Sequence, residues 1–216
     1  MSLLALFLGI LPSLIWLFFF LQEDLHPEPK RLIVTTFCVG GLMALPVVVL
    51  QLLTQDLLNF FNFKNIIIAI VALALIEEVF KFLAAFWVTY KNPEFDEPVD
   101  AMIYMLTAAL GFAMIENIFI MAKVATFDTL ALRFIGATLL HTLASALLGY
   151  YWARGIQKKS LGINLGFGIF LALFVHSLFN YLILKFQSIY FLYPSLFLIL
   201  AAVFVFIDFE KLRKMI

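Results

Sequence analysis

Apolar residues form long blocks along the chain, separated by short polar stretches. Seven blocks come close to the ~20 residues that an α-helix needs to cross a bilayer: residues 3–21, 32–53, 66–90, 100–122, 134–152, 163–184 and 190–207. The stretches between them are too short to hold a soluble domain. The pattern predicts an all-α polytopic transmembrane bundle of about seven spans, with eight as the alternative, folded as a single membrane-embedded domain over residues 1–216.

The third block carries three charged residues near its middle: Glu77, Glu78 and Lys81. A charge at the bilayer centre costs about 2.5 to 3.5 kcal/mol even on insertion scales, so such residues normally face a cavity and mark function. Glu77 and Lys81 are four residues apart on one helical face, and we expect them to neutralise each other. Glu78 points about 100° away and is then available for chemistry.

Composition supports the membrane assignment, because 65% of the 216 residues are hydrophobic and only 13% are charged. The formal net charge of zero and the scattered basic residues argue against a nucleic-acid partner. The single cysteine, Cys38, allows no internal disulfide, and we expect it to be buried. Residues 54–65 are semi-polar and are expected to form a short helix at the outer membrane interface. Asp100 is expected to cap the fourth helix.

Basic residues predict the orientation of the chain in the membrane. The first, third and fifth loops and the C-terminal tail hold nine Lys and Arg residues, whereas the alternate loops hold four. Basic residues are in excess in the cytoplasmic loops of membrane proteins. The count therefore predicts a cytoplasmic C terminus and an external N terminus.

Three further ionisable residues lie inside apolar blocks: Glu116 in the fourth, His141 in the fifth and His176 in the sixth. Ionisable residues within spans almost always face the bundle interior. Counted from the predicted outer helix ends, these three lie roughly 9 to 12 Å deep at 1.5 Å per residue. We expect them to line one polar cavity, in the outer half of the membrane, together with Glu77 and Glu78.

The motifs together resemble those of the PrsW family of intramembrane proteases, which is related to the prenyl-protein CAAX endopeptidases. The motifs are Glu-Glu-x-x-Lys at 77–81, Asp-Glu-Pro-Val-Asp at 96–100, Phe-x-x-x-Glu-Asn at 112–117, His141, and His-x-x-x-Asn at 176–180. The similarity covers roughly residues 66–185, the expected catalytic core. It implies a multi-pass peptidase of the bacterial cytoplasmic membrane that cleaves a single-span protein, for some members an anti-sigma factor at site-1.

Peptide hydrolysis needs a base for water, an acid for the leaving amine and a group that stabilises the oxyanion. In a metal-free version, Glu77 or Glu78 activates water, a carboxyl group or His141 donates the proton, and Asn117 or Asn180 holds the oxyanion. Lys81 and Phe112 complete the expected supporting residues of the site.

A metal-dependent version uses the same cluster differently. His141, His176 and one glutamate, with Glu116 and Glu78 as the candidates, bind Zn²⁺ and leave one position open for water. Another glutamate then acts as the base. No His-Glu-x-x-His motif is present, so a metal site has to be assembled across helices. Both versions remain open from the sequence alone.

Two other functions also fit buried Glu, His and Lys side chains: a proton-coupled transporter and a non-catalytic membrane scaffold or receptor. If the protein is a protease, we expect Glu78→Ala or His176→Ala to abolish cleavage without removing the protein from the membrane. We also expect a cut near the extracytoplasmic end of the substrate's transmembrane segment.

Overall fold

The computed structural model describes residues 3–63, 65–186 and 192–215, and the regular structure within these ranges is helical. A 3₁₀ turn spans Leu21–Glu23, and a π-helical turn spans Arg133–Thr138. The helices are α1 (Leu3–Phe20), α2 (Lys30–Phe60), α3 (Ile66–Thr89), α4 (Asp100–Lys123), α5 (Phe127–Leu132), α6 (Leu139–Gln157), α7 (Leu161–Lys185) and α8 (Leu192–Arg213). The predicted all-α bundle is confirmed.

Six helical segments of the described chain are long and apolar enough to cross a membrane, counting α5 to α6 as one. The remaining long helix, α3, has 24 residues but contains the charged residues Glu77, Glu78 and Lys81. The chain is thus a multi-pass membrane protein. The start of the seventh predicted block, residues 190–191, lies outside the described residues.

Helix α4 is the centre of the bundle. Every residue from Asp100 to Ala113 is buried, which is typical of a helix that is apolar on all sides. α1, α2, α3 and α6 all pack against α4, while α7 packs on α3 and α6, and α8 covers α6. The space between α3, α4, α6 and α7 is therefore enclosed by protein.

Helices α2 and α4 approach each other closely because glycines lie at their crossing. A methyl group added at Gly40 would overlap the carbonyl oxygen of Ala108, and one added at Gly111 would overlap that of Phe37. Small residues of this kind let helix backbones come into contact within a membrane. The crossing holds α4 in register with α2, which also reaches the functional cluster described below.

Gly40→Ala is expected to lower the free energy of unfolding by about 1 to 3 kcal/mol, because the helices must separate to accept the methyl group. Gly162→Ala is the matched control, since a methyl group there meets no atom within 4 Å. The control should be neutral or stabilising by up to about 1 kcal/mol through helix propensity. Chemical unfolding in detergent measures both, and equal effects would contradict the close crossing.

Two expectations about α2 are wrong. The helix continues without a break to Phe60, so its last turns replace the separate interfacial helix expected over residues 54–65. Residue 64 lies outside the described residues. Cys38 is exposed on α2 rather than buried. Its helix position faces the bundle exterior, where a weakly polar thiol is compatible with lipid.

The loop before α4 is closed by polar contacts, and here the expected helix cap is also wrong. Asp100 Oδ2 accepts hydrogen bonds from the backbone N–H groups of Asp96 and Glu97, at 2.9 and 2.8 Å, and so stabilises the loop instead of the helix end. Tyr104 donates its hydroxyl to Glu28 in the loop between α1 and α2. Burial raises the pKa of Glu28 to about 8. The loop between α1 and α2 is thereby joined to the first turns of α4.

Candidate active site

Four helices bring the sequence-predicted ionisable side chains into one cluster. α3 contributes Glu77 and Glu78, α4 contributes Glu116, α6 contributes His141, and α7 contributes His176. The closest pairs are Glu78–His176 at 2.7 Å, Glu116–His141 at 3.0 Å and Glu77–His176 at 3.6 Å. Each element is a regular helix at these positions, so the cluster is held on rigid backbone.

Glu77 presents an unpaired carboxylate oxygen to both imidazole rings. Its Oε1 accepts a hydrogen bond from Gln51 Nε2 at 2.7 Å, whereas its buried Oε2 accepts none from the described residues. Oε2 lies 3.7 Å from His141 Nδ1 and 3.6 Å from His176 Nε2. One ligand atom from each of the three residues lies within 4.8 Å of the others. This orphaned oxygen and its nitrogen neighbours fit a divalent metal ion, and three protein ligands leave a position open.

The pairing of Lys81 differs from the prediction. Lys81 Nζ lies 2.7 Å from Glu78 Oε1 but 3.9 Å from Glu77 Oε2, so Glu78 is the neutralised carboxylate and Glu77 the available one. Residues three and four positions apart both share a helical face, and spacing alone does not distinguish them. Ser145 Oγ also donates to Glu78 Oε2 at 3.2 Å. These donors hold Glu78 in place at zero exposure.

Each histidine of the trio has its other ring nitrogen next to a carboxylate. His176 Nδ1 lies 2.7 Å from Glu78 Oε1, and His141 Nε2 lies 3.0 Å from Glu116 Oε2. Such pairs fix the tautomer and ring orientation of a metal-binding histidine. The sequence-based ligand candidates were Glu116 and Glu78, but in the structure these two support the histidines while Glu77 faces both rings.

The Lys81 ammonium lies next to a proposed metal-binding nitrogen and can compete with a metal ion for it. Its Nζ is 3.0 Å from His141 Nδ1, the nitrogen that faces Glu77. A metal ion bound to that nitrogen would replace this contact with Lys81. The ammonium also lies 5.2 Å from the centre of the Phe112 ring, within the range of a cation–π contact.

Among the other predicted supporting residues, Phe112 packs edge-on against His141, with ring centres 5.9 Å apart. Asn117 is buried and donates from Nδ2 to Thr138 Oγ1 at 3.0 Å. Asn180 lies half-buried, one turn after His176, and takes part in no hydrogen bond of the cluster within the described residues. Its role in holding an oxyanion stays a prediction.

Two residues of the cluster were missed in the sequence. Gln51 on α2 orients Glu77, and Arg133 contacts Glu116, with its Nη2 3.0 Å from Glu116 Oε2. Gln51 is a lone amide within an apolar block, and that is a usable signal. Arg133 directly precedes the predicted fifth block and counted as a loop residue. No sequence signal shows that a π-helical turn carries it toward α4.

The cluster contains three carboxylates and two cations, and hence an excess of one negative charge when both imidazoles are neutral. The carboxylates belong to Glu77, Glu78 and Glu116, and the cations to Lys81 and Arg133. Buried charges of one sign are costly unless they are compensated. A divalent cation would reverse this excess, in agreement with the unpaired oxygen of Glu77.

A comparison with protein families shows which family the chain belongs to. The sequence profile of the PrsW family intramembrane metalloproteases matches residues 28–207. The chain belongs to this family. It is therefore a hydrolase that cleaves peptide bonds within the membrane, and the resemblance seen in the motifs is confirmed.

Proteins named Protease PrsW from several bacteria are similar to the chain. The protein from Oceanobacillus iheyensis is 31% identical over 186 residues, which cover 83% of this chain and 83% of the relative. The protein from Geobacillus kaustophilus is 26% identical and covers 82% of this chain and 78% of its own length. The protein from Bacillus subtilis is 22% identical, over 68% of this chain and 66% of the relative. No solved structure matches the chain. These relatives favour a protease over a transporter or a scaffold.

Proposed function

We propose that this PrsW-family protease cleaves a single-span membrane protein, with a divalent metal ion, Zn²⁺ being the first candidate, held by Glu77, His141 and His176. The observation that carries the proposal is the buried, unpaired Glu77 Oε2, which faces one nitrogen of each histidine. Bound there, the ion supplies a Lewis acid for the peptide carbonyl and a more acidic water.

Glu116 is the proposed general base. Among the three carboxylates it is the most accessible, because 25% of its side chain is exposed against 10% for Glu77 and none for Glu78. Its Oε2 is engaged by His141 and Arg133, and its Oε1 accepts no hydrogen bond from the described residues. Oε1 is thus free to accept a proton from water and to return it to the leaving amine.

Glu78 is proposed to act through His176 instead of touching the substrate. It is fully buried and already accepts hydrogen bonds from Lys81, Ser145 and His176. A carboxylate in this state cannot reach a substrate water without losing its partners. Asn180, half-buried on the following turn of α7, is the proposed donor to the oxyanion.

The proposed substrate is a single-span protein of the bacterial cytoplasmic membrane, such as a membrane-anchored anti-sigma factor cut at site-1. The bacterial relatives support this location. The charge count predicts an external N terminus and a cytoplasmic C terminus. In that orientation Glu116 lies seven residues from the outer end of α4, about 10 Å deep at 1.5 Å per residue.

We therefore expect the substrate to be cut near the extracytoplasmic end of its transmembrane segment, because the scissile bond must reach Glu116 and its water. The experiment incubates the purified protein with a tagged single-span substrate in lipid and identifies the product termini by mass spectrometry. Product termini in the outer half of the segment support the proposal. A cut on the cytoplasmic side would contradict the orientation or the site.

A further inference from the structure

We infer that Arg133 is a positioning residue of this protease: it holds Glu116 so that Oε2 supports His141 and Oε1 faces the substrate water. This inference rests on the proposed function and extends it to a residue that is neither a proposed metal ligand nor the proposed base. It is carried by the contacts of Arg133, by the shape of the helix that bears it, and by the charge balance of the cluster.

A π-helical turn brings Arg133 onto the face of its helix that carries His141. The two residues are eight positions apart, which on a regular α-helix would separate them by about 80°. The wider turn at Arg133–Thr138 reduces this rotation, since π-helical turns contain an extra residue. As a result, Arg133 Nη2 and His141 Nε2 each lie 3.0 Å from the same oxygen, Glu116 Oε2.

Besides its contact with Glu116, the guanidinium of Arg133 is held by a second residue of α4. Its Nε donates to Asn117 Oδ1 at 2.5 Å, and Asn117 in turn donates from Nδ2 to Thr138 Oγ1 at 3.0 Å. Arg133 thus bridges two adjacent residues of α4, while Thr138 ties the far end of the π turn to the same helix. The planar guanidinium makes the two contacts from separate nitrogens in a fixed geometry, whereas a lysine would have to make both from one nitrogen.

Helix α1 braces the turn from its other side. A π-helical turn changes the i to i−4 hydrogen-bond pattern and leaves backbone groups in need of other partners. Trp16 Nε1 donates to the carbonyl oxygen of Phe134 at 2.8 Å, and the two rings stack with centres 5.3 Å apart. The π-helical turn is therefore stabilised by α1 in the conformation that brings Arg133 next to Glu116.

Charge and position predict opposite effects when Arg133 is replaced. Arg133→Met removes one cation from a cluster already in negative excess, and on Coulombic grounds alone a Zn²⁺ ion should then bind more tightly. Loss of position predicts weaker binding, because Glu116 no longer orients His141; support of this kind is worth about 10- to 100-fold in metal affinity or activity. The direction of the change distinguishes the two.

The experiment compares wild-type protein with Arg133→Met, Arg133→Lys and the control Lys123→Met, which removes an exposed cation at the end of α4. Zn²⁺ affinity is measured by competition with a chelator, and cleavage on the same samples. We expect Arg133→Met to lose about 10- to 100-fold in both, Arg133→Lys to recover part, and the control to match wild type. Unchanged or tighter Zn²⁺ binding in Arg133→Met would overturn the inference.

A double mutant tests whether Arg133 acts through Glu116. In a Glu116→Gln background, Arg133→Met should add little further loss of cleavage or Zn²⁺ affinity, whereas an independent or purely structural role would give additive losses. If Arg133→Met does not fold, Asn117→Ala, which releases Arg133 Nε, takes its place with a smaller expected loss. Absence of cleavage by wild-type protein would overturn the proposed function, and the Zn²⁺ affinities would still decide the role of Arg133.

Discussion

Glu77→Gln is expected to reduce cleavage about 10³-fold or more, while the protein remains in the membrane. The substitution keeps the shape of the side chain and its contact with Gln51, but replaces the unpaired oxygen that faces His141 and His176. An amide is a poor ligand for Zn²⁺ compared with a carboxylate, and catalytic groups at such sites contribute about 10² to 10⁴-fold each. The rate of substrate cleavage by protein purified in detergent or lipid measures the effect.

The matched control is Glu94→Gln, which makes the same chemical change in the exposed loop between α3 and α4. It should cleave at the wild-type rate. Both variants should reach the same level in the membrane, because insertion depends on hydropathy and each change removes a charge. Substantial cleavage by Glu77→Gln would show that the cluster works without Glu77 as a ligand.

Lys81→Met is expected to lower the free energy of unfolding by about 3 to 5 kcal/mol, since it leaves Glu78 charged and fully buried without its cation. Chemical unfolding in detergent gives the value. The double variant Lys81→Met with Glu78→Gln should recover part of the loss, because no uncompensated charge remains. Lys123→Met, at an exposed position, should change the free energy of unfolding by less than about 0.5 kcal/mol.

If Lys81→Met were as stable as wild type, the ion pair with Glu78 would not form in the membrane. If the double variant were no better than the single one, the loss would come from packing against Phe112 instead of from the charge. The measurement thus separates the ion pair from the cation–π contact.

The long apolar blocks were sufficient to predict the long helices, because a membrane span leaves few alternatives to a helix of about 20 apolar residues. The cost of burying charge was likewise sufficient to predict that Glu116, His141 and His176 lie close to Glu77 and Glu78 of α3. What spacing could not decide is the partner of Lys81, since positions 77 and 78 both lie within one turn of it. That choice depends on Ser145 and His176, which come from other helices.

Irregular helical turns and contacts between helices are harder to predict from sequence. The π-helical turn before α6 has no sequence pattern that marks it, and on a regular α-helix Arg133 would lie about 80° from the face that carries His141. Gln51 lies within the predicted second block, and its contact with Glu77 depends on how α2 packs against α3, which the sequence does not show. Both residues are defined by packing between helices.

The central claim, that Glu77, His141 and His176 together hold one metal ion needed for cleavage, is tested most directly by titrating metal-free protein with Zn²⁺. Bound metal and substrate cleavage are measured on the same samples, for wild type and for Glu77→Gln. The account predicts that cleavage returns in proportion to bound Zn²⁺ and is complete at one ion per chain, with no tight binding to Glu77→Gln. Full cleavage by metal-free protein, or one tightly bound ion in Glu77→Gln, would contradict it.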